Sequence, residues 1–206
     1  MIKTYILENY KNGEPIFIND LPCKSINYLR QELKKLVDSN ELARLKNGIY
    51  YLPYKTSIGS EGTISFENYI NARYLKDGEE GFLTGLSLIN KYGFSSQNPS
   101  ILELKSNKAT TLQRKLEFNN FKYIVYSSNI QITKENYKEL EFLELLSLLN
   151  KYSELNEEES KMKLKKIIKK NKIDFKKVKK YLDYFPEVIY KNIYKGGLMS
   201  ELLWWI

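Results

Sequence analysis

Over the first ten residues Ile2, Tyr5, Ile6, Asn9 and Tyr10 fall near helical spacing and predict a first helix, ended by residues 13–15. Ile16, Phe17 and Ile18 then predict a short strand, and Asn19 or Asp20 is placed to cap a short helix before Pro22. From residue 25 to 37 the pattern is amphipathic. Ile26, Leu29, Leu33, Leu36 and Val37 share one face, and Asn27, Tyr28, Gln31, Lys34, Lys35 and Asp38 share the other. Ser25 precedes this helix as its N-cap. Two short apolar runs, residues 41–45 and 49–52, flank Lys46-Asn47-Gly48. Asn-Gly between strand-like runs predicts a hairpin because both residues tolerate φ > 0, and Pro53 stops the second strand.

Residues 54–63 are a polar connector carrying Gly59 and Gly62. Ser65 caps a predicted helix through Tyr74, with Phe66, Tyr69, Ile70 and Arg73 on or near one face. A turn at 77–81, a strand at 82–84 and a helix over 85–92 stopped by Gly93 come next. Strands are predicted at 101–105, 110–118 and 123–127, the last two joined through Asn119-Asn120. From residue 133 the pattern turns helical. Leu140, Leu143, Leu146 and Leu149, with Phe142, Leu145 and Leu148, make a helix apolar around much of its girth and central to a core. Residues 157–171 begin with three glutamates and continue with lysines, matching the helix dipole at both ends. Further helices are predicted through Phe175, Val178, Tyr181, Leu182 and Phe185, and over 188–194. No repeat recurs at a period of 20 to 50 residues.

The element order narrows the architecture. Helix, strand, short helix, amphipathic helix and hairpin is the order of a winged helix-turn-helix, in which the second helix of the motif enters the DNA major groove beside a hairpin that touches the backbone. The expected fold class is α+β: a winged helix-turn-helix over 1–55, then a domain over 56–206, α/β through 133 and largely helical from 134 to 206. Candidate DNA contacts are Lys24, Ser25, Asn27, Tyr28 and Gln31 at the start of the helix, Lys34 and Lys35 further along, and Arg44, Lys46 and Asn47 on the hairpin. Their amide and basic groups suit adenine edges and phosphates. The same pattern is also that of a solvated helix face, and some winged helices bind only protein.

Charge agrees with an anionic partner. The 206 residues carry 33 Lys and Arg against 25 Asp and Glu, a net +8. The chain has no histidine and one cysteine, Cys23, which removes Ser-His and Cys-His nucleophile pairs, disulfides within the chain and ordinary structural zinc. No apolar run reaches the roughly 18 residues of a membrane span, and residues 1–4 are not followed by a signal-peptide core. These features lead us to expect a cytoplasmic protein without a membrane partner.

Three stretches carry a resemblance: Gly48-Ile-Tyr-Tyr-Leu-Pro53; Thr84-Gly85 followed by Tyr92-Gly-Phe-Ser-Ser-Gln-Asn-Pro99; and Ile132-Thr-Lys-Glu-Asn136 before the leucine-rich helix. In this order, over most of residues 1–150, they resemble the AbiEi-type antitoxin family, with its G-I/V-Y-x-x-P wing strand and later L-G-L-x-x-Q-x-P. Phe94 stands where that pattern has leucine. The resemblance implies the antitoxin of a bacterial two-gene system, binding its own operator, with room for self-association on DNA, and countering a nucleotidyltransferase-like toxin through its C-terminal part. It implies no enzyme, no catalytic or metal-binding residue and no cofactor. A stand-alone winged-helix regulator and a carboxylate-dependent nuclease are the alternatives.

Four other features compete for attention. Glu103-Leu104-Lys105 has the spacing of a nuclease carboxylate-x-Lys, but strand alternation accounts for it, with Ile101, Glu103 and Lys105 outward and Leu102 and Leu104 inward. Gly59-Ser60 lacks the acidic strand a nucleotidyltransferase needs, since Asp77-Gly78-Glu79 lies in a turn. Residues 161–180 hold eleven lysines and one acid, Asp174. They suit a solvated face, phosphate contact or docking on an acidic toxin, and not base reading. Leu202-Leu203-Trp204-Trp205-Ile206 suits either a protein-binding anchor or a strap folded on the core.

Overall fold

The structure, a computed structural model, describes residues 2–200. The chain is mixed α and β, with eight α-helices and two small sheets among the described residues. It divides into two compact units, the first ending at Arg73 and the second beginning at Tyr74. The first therefore runs beyond the boundary expected near residue 55.

In the first unit, helix α1 (Ile2–Asn9), strand β1 (Ile16–Phe17), helix α2 (Ile26–Asp38) and strands β2 (Ala43–Lys46) and β3 (Ile49–Tyr51) follow the expected order. The sheet order is β1-β3-β2, antiparallel throughout. Its core joins Ile2 and Ile6 of α1, Ile16 of β1, Leu29 and Leu33 of α2, and Tyr50 of β3. Ser25 accepts the Tyr28 N–H at 3.4 Å and so caps α2 as its sequence position demands.

Three local expectations change. The helix before Pro22 is a single 3-10 turn, Ile18–Asp20, begun by Phe17 with no side-chain cap, so Asn19 and Asp20 lie inside the turn. Ile26, in the first turn of α2, stays 41% exposed while Leu29 and Leu33 are buried. In the hairpin only Gly48 takes φ > 0, at 75°; a register shift between Arg44 and Lys46 supplies the remaining turn. The residues beyond Pro53 belong to this unit because they pack on it. Gly62 lies under the Tyr54 ring, where any Cβ would overlap it. The Tyr54 hydroxyl donates to the Thr63 carbonyl at 2.9 Å. Helix α3 (Phe66–Ile70), capped by Ser65, sends the Asn68 amide to the Gly13 carbonyl at 3.1 Å.

In the second unit, strands β4 (Gly81–Leu83), β5 (Leu102–Ser106), β6 (Gln113–Phe118) and β7 (Phe121–Tyr126) form a sheet of order β4-β5-β7-β6. β5 and β7 are parallel, the other pairs antiparallel. Asn119 and Asn120, at φ 47° and 66°, close the two-residue β6–β7 hairpin, a turn that needs both residues left-handed. β6 ends the sheet with Arg114, Lys115 and Glu117 exposed. Helix α4 (Gly85–Lys91) stops at Gly93, φ 67°. Helix α5 (Tyr137–Tyr152) is the centre. Leu143, Leu145 and Leu146 are fully buried against α4 and against helices α6 (Glu157–Asn171), α7 (Phe175–Tyr181) and α8 (Val188–Lys195).

The apolar girth of α5 holds three buried glutamates, each satisfied. Glu139 accepts the Asp174 N–H at 3.1 Å. Glu141 accepts from Lys91 at 2.6 Å and the Tyr92 hydroxyl at 2.9 Å. Glu144 accepts from Lys105 at 2.7 Å and from the Thr84 hydroxyl. This corrects the expectation for β5. Lys105 reaches back to α5, and Glu103 accepts the Tyr126 hydroxyl at 2.9 Å, so neither stands free in solvent. Both faces of β5 are covered, and simple alternation does not apply to such a strand.

Glu154, just past α5, holds the loop after Gly93. It accepts the Ser96 N–H at 2.8 Å, the Ser96 hydroxyl at 3.0 Å and the Gln97 amide at 2.9 Å. These bonds, the Ser96 N–H first, lower its carboxyl from 4.5 to about 2. A depressed folded-state value stabilises the fold fully above the unfolded value, and this is lost as pH falls from 4.5 toward 2. The Ser96 amide resonance is therefore expected to titrate with a midpoint near 2, and Glu154→Gln to remove that inflection. A midpoint near 4.5 would show the carboxylate unbound in solution.

Candidate nucleic-acid interface

The exposed face of α2 is built as the hydrophobic pattern requires. With Leu29 and Leu33 in the core, Asn27, Tyr28, Gln31, Lys34 and Lys35 must face solvent, and all five are exposed. Lys24 and Ser25 are exposed at its start. Lys35 is tied to Glu32 at 2.7 Å, a bond that raises its ammonium above the usual value and leaves it less available than Lys34. On the hairpin Arg44, Lys46 and Asn47 are all exposed, and Arg44 donates to the Asn47 side-chain oxygen.

The expected residues do not gather at one point. Lys34, Arg44 and Asn47 line a common groove of about 830 Å³. Lys24, Ser25, Asn27, Tyr28, Gln31, Lys35 and Lys46 lie outside its lining. Two cations absent from the expected set share the groove, Arg30 and Arg73. Arg30 sits one turn before Lys34 on α2, an i,i+4 spacing visible in the sequence. Arg73 follows α3, and its placement depends on a contact 56 residues away. Its guanidinium lies 5.2 Å from the centroid of the Phe17 ring. Phe17 in turn packs on Tyr69 at 6.2 Å, and the Lys46 ammonium lies 5.1 Å over that tyrosine. The two rings and Arg73 form one wall of the groove, while Lys46 lies outside its lining.

No known family model and no curated protein matches the chain.

The competing motifs have structural work. Glu103 and Lys105 are held by Tyr126 and Glu144, as described. Among the described residues no three His, Cys, Asp or Glu side chains are grouped to hold a metal ion. No helix among them is long and apolar enough to cross a membrane. In the lysine-rich stretch, Lys163 and Lys177 donate to the Gly93 and Glu135 carbonyls and Lys161 pairs with Glu158 at 2.9 Å. Lys165, Lys166, Lys169 and Lys170 are exposed along α6. The Trp204-Trp205 tail lies outside the described residues.

Proposed function

We propose that the first unit is a winged helix-turn-helix that binds double-stranded DNA, with α2 as the major-groove helix and the β2–β3 hairpin as the wing. One observation carries this reading: a helix whose exposed face bears Asn27, Gln31, Lys34 and Arg30 stands beside a hairpin bearing Arg44, Lys46 and Asn47. Amides and arginines match base edges, and lysines match phosphates. The helix normally found before the recognition helix is reduced here to the 3-10 turn at Ile18–Asp20.

The resemblance described above extends the proposal. The protein would be a non-enzymatic cytoplasmic antitoxin that represses its own operator and counters a nucleotidyltransferase-like toxin through the second unit. Finding a neighbouring reading frame that encodes such a toxin would favour this over a stand-alone regulator.

The test is fluorescence anisotropy with duplex from the region upstream of the gene and with random duplex of equal length. Binding is expected to weaken with salt, each neutralised phosphate adding about 0.9 to the log-log slope, and to favour the upstream duplex. Equal, salt-independent affinity for both would remove the proposal.

A further inference from the structure

Four cations converge on the groove of the first unit: Arg30 and Lys34 from α2, Arg44 from β2 and Arg73 from beyond α3. One acid, Asp38, lines it with them. None of the four is ion-paired to a carboxylate among the described residues, although Lys3, Lys35, Lys76, Lys91 and Lys105 all are. Four like charges with a single carboxylate, Asp38, among them leave a net repulsion. The arrangement is relieved by an anion lying between them.

The chemistry favours phosphate esters. Three of the four cations are arginines, whose planar forks match phosphate oxygens two at a time. The groove encloses about 830 Å³ between α2, the hairpin and the residues around Arg73. The aromatic wall holds Arg73 in place before a ligand arrives, because its guanidinium rests on Phe17 and Phe17 rests on Tyr69.

We propose that Arg73, together with Arg30, Lys34 and Arg44, forms a phosphate-binding groove, so that the segment after the hairpin completes the nucleic-acid site. For the duplex ligand this rests on the DNA-binding reading; as a phosphate site it stands on the groove alone. Arg73 is a binding residue supplied from outside the helix-and-hairpin unit. The site therefore draws on the first unit from Phe17 to Arg73.

The experiment uses the full chain with two ligands, a 16-base-pair duplex followed by anisotropy from 50 to 300 mM salt, and inorganic pyrophosphate followed by calorimetry. Arg73→Gln is expected to lower the magnitude of the salt slope by about 0.9. Affinity should fall by the same factor on upstream and random duplex, since a phosphate contact carries no sequence information. Arg73→Lys keeps the charge and should keep the slope, which separates loss of a contact from loss of packing on Phe17. Pyrophosphate binding should weaken several-fold in Arg73→Gln and in Arg30→Gln. A wild-type slope in folded Arg73→Gln with duplex binding intact overturns the groove and leaves the DNA reading standing. Pyrophosphate binding that depends on Arg73 in a protein that ignores duplex supports the groove and removes the DNA reading. Binding of neither ligand overturns both.

Discussion

Glu144→Ala is expected to destabilise the second unit by about 3–5 kcal/mol, the usual result of removing one member of a buried ion pair. Glu144 is 5% exposed and accepts from both Lys105 and Thr84. Its loss leaves Lys105, whose side chain is only 29% exposed, without its carboxylate partner. It also leaves the buried Thr84 hydroxyl without an acceptor. Urea unfolding with the slope held constant measures the change. The double variant Glu144→Leu with Lys105→Leu should recover most of the loss, because replacing both charges with apolar groups removes the stranded cation. If the double variant is as unstable as the single one, the pair contributes through shape and not through charge compensation.

The second large effect concerns the hairpin. Arg44→Ala combined with Lys46→Ala is expected to weaken duplex binding by at least tenfold for each charge, since hydrogen bonds to charged groups are worth roughly 1.5–3 kcal/mol. Both side chains are exposed, so the melting temperature should hardly move. The proposed promoter would then be derepressed while cells expressing the toxin from an unrelated promoter still survive, because neutralisation is assigned to the second unit. Death of those cells with the double variant folded and present would show that the two functions share the first unit.

Local chemistry made much of this fold readable. Ser25 as a cap, Gly93 as a helix stop and Asn119-Asn120 as a turn all act within a few residues. Asn156 and Glu159 cap each other reciprocally, an equally local device. The outward face of α2 was readable for the same reason: burying Leu29 and Leu33 leaves its polar residues no other place.

What escaped sequence reading depends on distant partners. The glutamates of α5 carry no local sign of their partners, because Lys91 and Lys105 lie 50 and 39 residues away. Arg73 reads as an ornament on the apolar stripe of Phe66, Tyr69 and Ile70. The stripe does face the core, and Arg73 beside it lies over Phe17, from where its charge reaches the groove. The boundary near residue 55 missed the segment after Pro53 because Gly62 under Tyr54 and Asn68 on Gly13 leave no trace in periodicity.

β6 has a further consequence, for how the protein behaves in concentrated solution. A terminal strand offers unpaired backbone groups to any other strand that drifts alongside, the usual start of aggregation. Here the offering strand carries Arg114, Lys115 and Glu117 exposed. A second molecule pairing there would strip these charged side chains of part of their water. The charges on the last strand thus disfavour, at the cost of their hydration, extension of the four-stranded sheet by a neighbouring molecule.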